Sequence, residues 1–491
     1  MDPLSAIELI TKIERDADVN AARIDDILLW PLIRLLLWQR LLAPAIDRSA
    51  HPRATPVAHP LLPYSLRRLG ARWRRARELR ALRKQNPVDA LFISRALDHT
   101  DEIGGCSYNR YLDPLIEFCR ERHRCVKVEL IAAGGLANKR RQEPTIFLTP
   151  PSRLDNQTTP PAVTGIDSLT AAARATAGAA WPDDALLSRL ARKLWQERAF
   201  FRAVLDTVHP RAVFLVCFYD PTTMALIAAC RQAGIPTVDL QHGKGGSNHG
   251  MFTHWIRMPR EGYALLPDYF WTWGAASSRN IAAHRPPGVQ RHRPLIGGNR
   301  WLAKWREGPP DNLTPEAGHF TAGLRGFEKV ILFSLQPIAE PLPAHVLDAM
   351  RQSPPGWRWL VRMHPHQTAQ RDRLLSQLSA AGCTNCELDF SSQIPLYALL
   401  RATHHHVTCW SSVGYEAAAF GVPTSLLHTT GAQVYAENLD DGWCAPALDA
   451  ATLLEQIRNG MQVSPGGKRE PYIQTDDSLA EAALTEIFSG R

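Results

Sequence analysis

The stretch Cys409-Trp410-Ser411-Ser412-Val413-Gly414-Tyr415-Glu416-Ala417-Ala418-Ala419-Phe420-Gly421-Val422-Pro423-Thr424 decides how this chain folds. It reads as the end of a buried strand, a tight polar turn, a short helix, and a Gly-Val-Pro turn into another strand. A strand that leads through a helix into the next strand is the repeating unit of a parallel sheet covered on both faces. Ser411 and Ser412 stand at the start of the helix, where free backbone N–H groups and the helix dipole favour a phosphate. Glu416 follows one turn later, placed to accept hydrogen bonds from a ribose. Serine is also a common structural N-cap, so the two serines gain weight only from the sixteen-residue pattern around them.

Outward from this stretch the same grammar recurs. In the second half, strands are predicted over Lys329 to Ser334, Arg358 to Met363, His405 to Cys409 and Thr424 to Leu427. Helices are predicted over Ala344 to Gln352, Thr368 to Ala381 and Tyr415 to Phe420. In the first half the predicted strands are Ala90 to Ser94, Val126 to Ile131, Ala212 to Phe218 and Thr237 to Leu240. Helices are predicted over Tyr111 to Arg122, Asp183 to Val208 and Thr222 to Ala233, with a loop over Pro150 to Pro161. Two doubly wound α/β domains facing a cleft follow, with ligands expected outside the carboxyl ends of the strands. The divisions read from the chain are a helical basic extension over 1–84, a first α/β domain over 85–310, a second over 311–470, and a C-terminal helix over 471–491 crossing back to the first domain.

Composition sets the class. The 491 residues are 45% hydrophobic and 21% charged, the balance of a folded globular protein rather than a disordered or fibrous one. The longest apolar run, Ile27 to Ile33, is interrupted by Pro31 and followed by Arg34, too short to span a bilayer. The start Met1-Asp2-Pro3-Leu4 lacks the basic and apolar regions of a secretory signal. Nine scattered cysteines suit a reducing compartment, and Cys383/Cys386 have no second pair to complete a zinc site. The net charge of +8 is concentrated in Arg67 to Lys84, which holds nine basic residues and one acid, Glu78. Leu66, Leu69 and Trp73 share one helix face there, a basic amphipathic surface suited to anionic lipid. No zinc-finger, RNA-recognition or basic-zipper pattern accompanies it, so nucleic acid is not the expected partner.

Three strand ends carry histidine or glycine-rich turns. In Leu360-Val361-Arg362-Met363-His364-Pro365-His366, Pro365 restricts His364 to extended backbone at the mouth of the cleft. An imidazole there can stabilise a leaving phosphate, and Arg362, two residues earlier, shares its face. In Asp239-Leu240-Gln241-His242-Gly243-Lys244-Gly245-Gly246-Ser247-Asn248-His249-Gly250, glycines allow close approach of backbone to a ligand. No Lys-Ser or Lys-Thr closes this loop, so it is not a P-loop. Pro267-Asp268-Tyr269-Phe270-Trp271-Thr272-Trp273-Gly274 follows.

As a set, Gln241-His242-Gly243, Pro267-Asp268-Tyr269-Phe270, Trp273-Gly274, His364-Pro365 and Ser411-Ser412 resemble bacterial surface-polysaccharide glycosyltransferases of the GT-B fold. The nearest in motif are capsule and lipopolysaccharide enzymes, CMP-sugar (sialic acid or Kdo) transferases and CDP-glycerol glycerophosphotransferases. The resemblance spans residues 85 to 450. It implies that the half over 311–470 holds the nucleotide-sugar donor, with His364 and the Ser411-Ser412 pair on its phosphate, and that the half over 85–310 holds the acceptor; Pro365, Glu416, Arg362 and Gln336 are further candidates on the donor side. Gln241, Lys244, His249 and Asp220 are the candidates for the acceptor side. Bacterial GT-B sialyltransferases carry two carboxylates before glycine as the source of a general base. The nearest stretch here is Asp98-His99-Thr100-Asp101-Glu102-Ile103-Gly104-Gly105, which departs from that pattern at Ile103. Asp101, Glu102 and His242 are the candidate bases, with Asp98 and Asp220 behind them.

The reading is a cytoplasmic enzyme, peripheral to the inner membrane of a bacterium, that moves a sugar from a nucleotide donor to a surface-polysaccharide or lipid-linked acceptor. CMP-sugars are favoured as donors, and neither a tightly bound metal nor a cofactor is expected. The alternatives are a CDP-glycerol-type phosphotransferase and a UDP-sugar 2-epimerase.

Overall fold

A computed structural model describes residues 1–42, 64–99, 101–131, 140–151, 159–243, 245, 248–308, 314–461 and 471–489. The first of its two large sheets has seven parallel strands. Their spatial order is Arg293–Ile296, Tyr269–Thr272, Thr237–Leu240, Ala212–Val216, Ala90–Arg95, Cys125–Leu130 and Thr145–Leu148. The second has six parallel strands in the order Cys386–Glu387, Trp357–Arg362, Lys329–Ser334, His405–Thr408, Thr424–Leu426 and Cys444–Pro446. Numbered within each sheet, both follow the order 3-2-1-4-5-6 of nucleotide-binding doubly wound folds, the first with one further edge strand. Two Rossmann-like domains of this kind make the fold GT-B-like.

Each sheet is buried on both faces, and the period-two alternation sorts its residues. Leu91, Ile93, Val213 and Leu215 pack on one side of the first sheet, against the helices Asp184–Val208 and Pro221–Ala233. Ala90, Phe92, Phe214 and Val216 pack on the other, against Asp113–Cys119 and the C-terminal helix Asp477–Ser489. That last helix contributes Ala480, Ala483, Leu484, Ile487 and Phe488 to the first domain's core. The segment before it is bound by Gln474 N–H to Trp273 O (2.8 Å) and by Asn299 N–H to Gln474 O (2.9 Å).

The structure departs from the sequence reading in several places. Residues 1–42 are no extension: helices Pro3–Asp16 and Trp30–Leu42 lie inside the first domain's core. The expectation failed because Trp30–Leu42 is apolar nearly all round, the mark of a buried helix rather than a surface one. Its Arg34 is buried, ion-paired with Glu14 and bonded to the carbonyls of Gly250 and Thr253 (both 2.8 Å). The helix Tyr64–Arg83 is continuous; Glu78 and Leu82 face the body, while Trp73 is 72% exposed. The predicted helix over Tyr111 to Arg122 shortens to Asp113–Cys119. The acids after Ser94 are not in a plain loop, because Asp101–Ile103 and Cys106–Tyr108 pair as an antiparallel hairpin.

Candidate functional site

A doubly wound sheet opens a crevice where the strand order reverses, because neighbouring connections leave in opposite directions. In the second domain this point lies between Lys329–Ser334 and His405–Thr408. Three strand ends are tied together there. The side-chain carbonyl of Gln336 accepts from Trp410 N–H (2.7 Å), and its backbone carbonyl accepts from the Gln367 side-chain amide (2.9 Å). Gln367 Oε1 in turn accepts from His364 N–H (3.0 Å), and Thr408 Oγ1 donates to Ser334 O (3.0 Å). His364 and Ser411 thus follow the two strands that flank Lys329–Ser334, strands that run about 10 Å apart. The helix Val413–Ala419 begins after Ser412, and Tyr435 Oη donates to the carbonyl of Ser411, fixing the turn.

In the first domain the reversal lies between Ala90–Arg95 and Ala212–Val216. The strand end at Arg95 turns back on Asp98, with Arg95 Nη2 to Asp98 Oδ1 at 3.0 Å. Cys217, with φ of +64°, ends the neighbouring strand and turns the chain into Tyr219 and Asp220. Asp220 caps the helix Pro221–Ala233 through Thr222 N–H (2.9 Å). Tyr219 Oη lies 2.8 Å from His242 Nε2, and His242 Nδ1 faces Leu240 O (3.3 Å). The carbonyl can only accept, so the proton is assigned to Nδ1 and the Nε2 lone pair accepts from Tyr219. Burial pushes the His242 imidazole down to about 4, and burial aided by His242 pushes His249 down to about 3. Both rings are therefore neutral near pH 7.

The two crevices face each other. A Cβ placed on Gly243 would lie 3.8 Å from Ser412 Oγ, so the loop after the first domain's His242 meets the second domain's serine turn. Beside this contact is a charged cluster drawn from both domains. Arg110 Nε sits 2.8 Å from Asp101 Oδ2, with 12% and 1% of the two side chains exposed. Tyr111 Oη donates to His242 O (3.2 Å), and Tyr397 Oη is hydrogen-bonded to Glu416. Burial pushes the Glu416 carboxyl up, against the pull of Arg110. Burial and Arg110 push the Arg362 guanidinium down to about 10, against the pull of Asp101 and Glu416. A site with two guanidinium groups, a carboxyl pushed up by burial and a neutral imidazole can hold an oxyanion and move a proton.

Of the residues singled out in the sequence, Asp101, Glu416, Arg362, His242, Ser411 and Ser412 are brought to this interface. His364, followed by the exposed Pro365, is joined to the serine turn through Gln336 and Gln367. Gln336 is structural in this geometry. So is Gln241, whose amide accepts from Trp273 N–H (2.7 Å) and donates to Gly243 O (2.8 Å). Arg362 Nη1 donates to the carbonyls of Ser391 (2.5 Å) and Ile394 (2.6 Å) while its charge faces the cluster. His249 packs between Trp38, Tyr219 and Phe252. Glu102 lies half-buried in the hairpin, and Lys244 lies outside the described residues. Sequence reasoning missed Arg110, Tyr111, Tyr219 and Tyr397. For Tyr219 the signal was present, since it immediately follows the strand predicted over Ala212 to Phe218; Arg110, paired with Asp101, had none, because Glu416, the charge it faces in the other domain, is 306 positions away. Among the described residues, no group of three or more His, Cys, Asp or Glu is placed to hold a metal ion.

No family model matches the chain, and no curated protein matches it in sequence. Several solved structures share its fold. A putative UDP-N-acetylglucosamine 2-epimerase from Listeria monocytogenes aligns over 82% of this chain and 97% of its own, with 14% identity and a TM-score of 0.50. A UDP-GlcNAc 2-epimerase from Neisseria meningitidis bound to UDP-GlcNAc aligns over 82% and 100%, with 13% identity and a TM-score of 0.48. The S. aureus MnaA–UDP co-structure aligns over 82% and 96%, with 11% identity and a TM-score of 0.48. At 14% identity the likeness to the Listeria structure is one of fold, and it agrees with the GT-B-like arrangement of the two sheets.

Proposed function

We propose that this chain is a nucleotide-sugar enzyme working in the cleft between its two domains, and that its reaction is transfer of a sugar to a surface-glycan acceptor. The observation that carries the reading is the meeting of the two crevices, His242-Gly243 from one domain against Ser412 from the other. In this reading the donor phosphate lies against Ser411, Ser412 and His364, with Arg110 and Arg362 supplying positive charge. His242, neutral and with its Nε2 lone pair turned toward Tyr219, takes the acceptor proton when the tyrosine hydroxyl gives way to the acceptor hydroxyl. Fixed dipoles and cations facing the departing phosphate supply the larger part of the rate enhancement in such a mechanism.

A second reading, a nucleotide-sugar 2-epimerase, is the one the fold comparison favours, through the Listeria structure. Its chemical support is Glu416, a carboxyl pushed up by burial and facing Asp101 across the interface, the kind of pair that exchanges a proton at a sugar carbon. The two readings separate in one experiment. Turnover of a nucleotide sugar without acceptor, followed by mass spectrometry and NMR, marks an epimerase; turnover only with added glycan marks a transferase. Donor binding itself is tested by Ser411→Ala with Ser412→Ala. A hydrogen bond to a charged group contributes about 1.5–3 kcal/mol, so affinity for the preferred nucleotide falls at least about tenfold per serine. Unchanged affinity in a calorimetric titration removes the donor site.

The same proposal gives the helix Tyr64–Arg83 a place against an anionic membrane. Exposed Trp73, Arg77 and Arg80 follow at intervals of four and three residues, which puts an aromatic ring and two cations on one outer stripe. No helix among the described residues is long and apolar enough to cross a membrane.

A further inference from the structure

A second cavity lies at the opposite end of the first sheet from the cleft. It has a volume of about 850 Å³ and opens at the amino ends of the strands Thr237–Leu240, Tyr269–Thr272 and Arg293–Ile296. The cleft lies beyond their carboxyl ends, so the length of a four-residue strand, about 13 Å, separates the two. Five arginines and two carboxylates line the cavity, an excess of three positive charges. Arg291 pairs with Asp268, and Arg293 pairs with Glu486 of the C-terminal helix. Among the described residues no carboxylate pairs with Arg231, Arg260 or Arg285. Among the described residues Arg231 and Arg285 donate to backbone, to Glu261 O (3.5 Å) and Arg291 O (3.1 Å), and Arg231 also lies in the field of Asp268. Arg291 Nε is buried without a hydrogen-bond partner. Burial, and Arg293 beside it, push the Arg285 guanidinium down, so its charge is held at a cost that an anion would relieve.

We propose that this cavity is a binding site for a compact phosphate ligand carrying at least two anionic groups, of the diphosphate class. Guanidinium forks match phosphate oxygens in pairs, and three of them here approach from separate segments: a helix end, the loop at 260 and the loop at 285. The volume lies in the range of small-molecule pockets, well beyond what one phosphate fills. The site is independent of the cleft reading, and it shares a wall with the C-terminal helix through Glu486.

The experiment is calorimetric titration of the full chain with sodium diphosphate, orthophosphate and citrate at constant ionic strength. Saturable diphosphate binding is expected, at least tenfold tighter than either orthophosphate or citrate. Arg260→Ala with Arg285→Ala should weaken it at least tenfold, and Arg260→Lys with Arg285→Lys should recover part of the loss, since the charge remains without the fork. Ser411→Ala with Ser412→Ala should lower at most a separate binding step in the cleft and leave the arginine-dependent step unchanged. Absence of saturable binding, orthophosphate or citrate binding as tight as diphosphate, or a loss that follows the serines rather than the arginines would each overturn the proposal. Equal melting temperatures of the arginine variants and the unaltered chain establish that a lost signal is lost binding.

Discussion

Replacing Arg34 by methionine tests whether the first 42 residues are part of the first domain's core. The Arg34 and Glu14 side chains are both 0% exposed and ion-paired. Arg34 also donates to the carbonyls of Gly250 (2.8 Å), Thr253 (2.8 Å) and His254 (3.2 Å), and its guanidinium lies 4.2 Å from the Trp255 ring centroid. Glu14 accepts in addition from Trp30 Nε1 (2.7 Å) and Ile256 N–H (2.8 Å). Methionine fills much of the volume but leaves the Glu14 charge without its counter-ion and several carbonyls without donors. Breaking a buried pair from one side costs about 3–5 kcal/mol, against a typical total stability of about 5–15 kcal/mol. At an unfolding entropy of about 2.1 cal/mol/K per residue, a first domain of about 300 residues melts about 5–8 °C lower. Arg34→Met with Glu14→Gln removes the stranded charge and should recover about half of the loss, because both partners are then neutral. Thermal unfolding followed by circular dichroism reads both. A single variant within about 1 kcal/mol of the unaltered chain, or a double variant no better than the single, would refute the buried-pair account.

Two further outcomes follow from the same geometry. Asp239 is buried, accepts from Phe218 N–H at 2.9 Å through Oδ1, and has no partner at Oδ2. Burial pushes its carboxyl well above the usual range. An unfolded aspartate ionises near pH 3.9, so above that value folding takes up a proton, and stability falls with rising pH until the folded carboxyl ionises. The limiting slope is about 1.4 kcal/mol per pH unit; Asp239→Asn should abolish it in urea unfolding curves, and parallel pH profiles would contradict this. At the membrane, Trp73→Ala with Arg77→Glu and Arg80→Glu should weaken sedimentation with anionic vesicles by at least about 30-fold, at about 1 kcal/mol per basic residue. An unchanged bound fraction would remove the lipid surface as a partner.

The alternation of strands and helices was legible because periodicity is local. Thr237–Leu240, Lys329–Ser334 and Ala344–Gln352 fall where their patterns place them. Strands that escaped notice, such as Arg293–Ile296 and Cys444–Pro446, are short, and Pro294 and Pro446 mask their propensity. Residues that stand just past strand ends, among them His242, His364 and Ser411, could be found from the chain alone, because a parallel sheet presents its carboxyl ends to ligands.

What no reading along the chain could supply are the pairings between distant segments. Arg110 faces Glu416 across two domains, Arg34 sits on Glu14 beneath the loop at 250, and Glu486 closes an arginine-lined cavity built from residues 231 to 293. Charge and apolar period are properties of neighbours in sequence, so they specify elements and their exposed ends. Which buried charge finds which partner depends on how sheets, helices and the returning C-terminal segment pack. That is why Arg34, a charge within the apolar helix at Trp30, found its counter-ion Glu14 only in the tertiary structure.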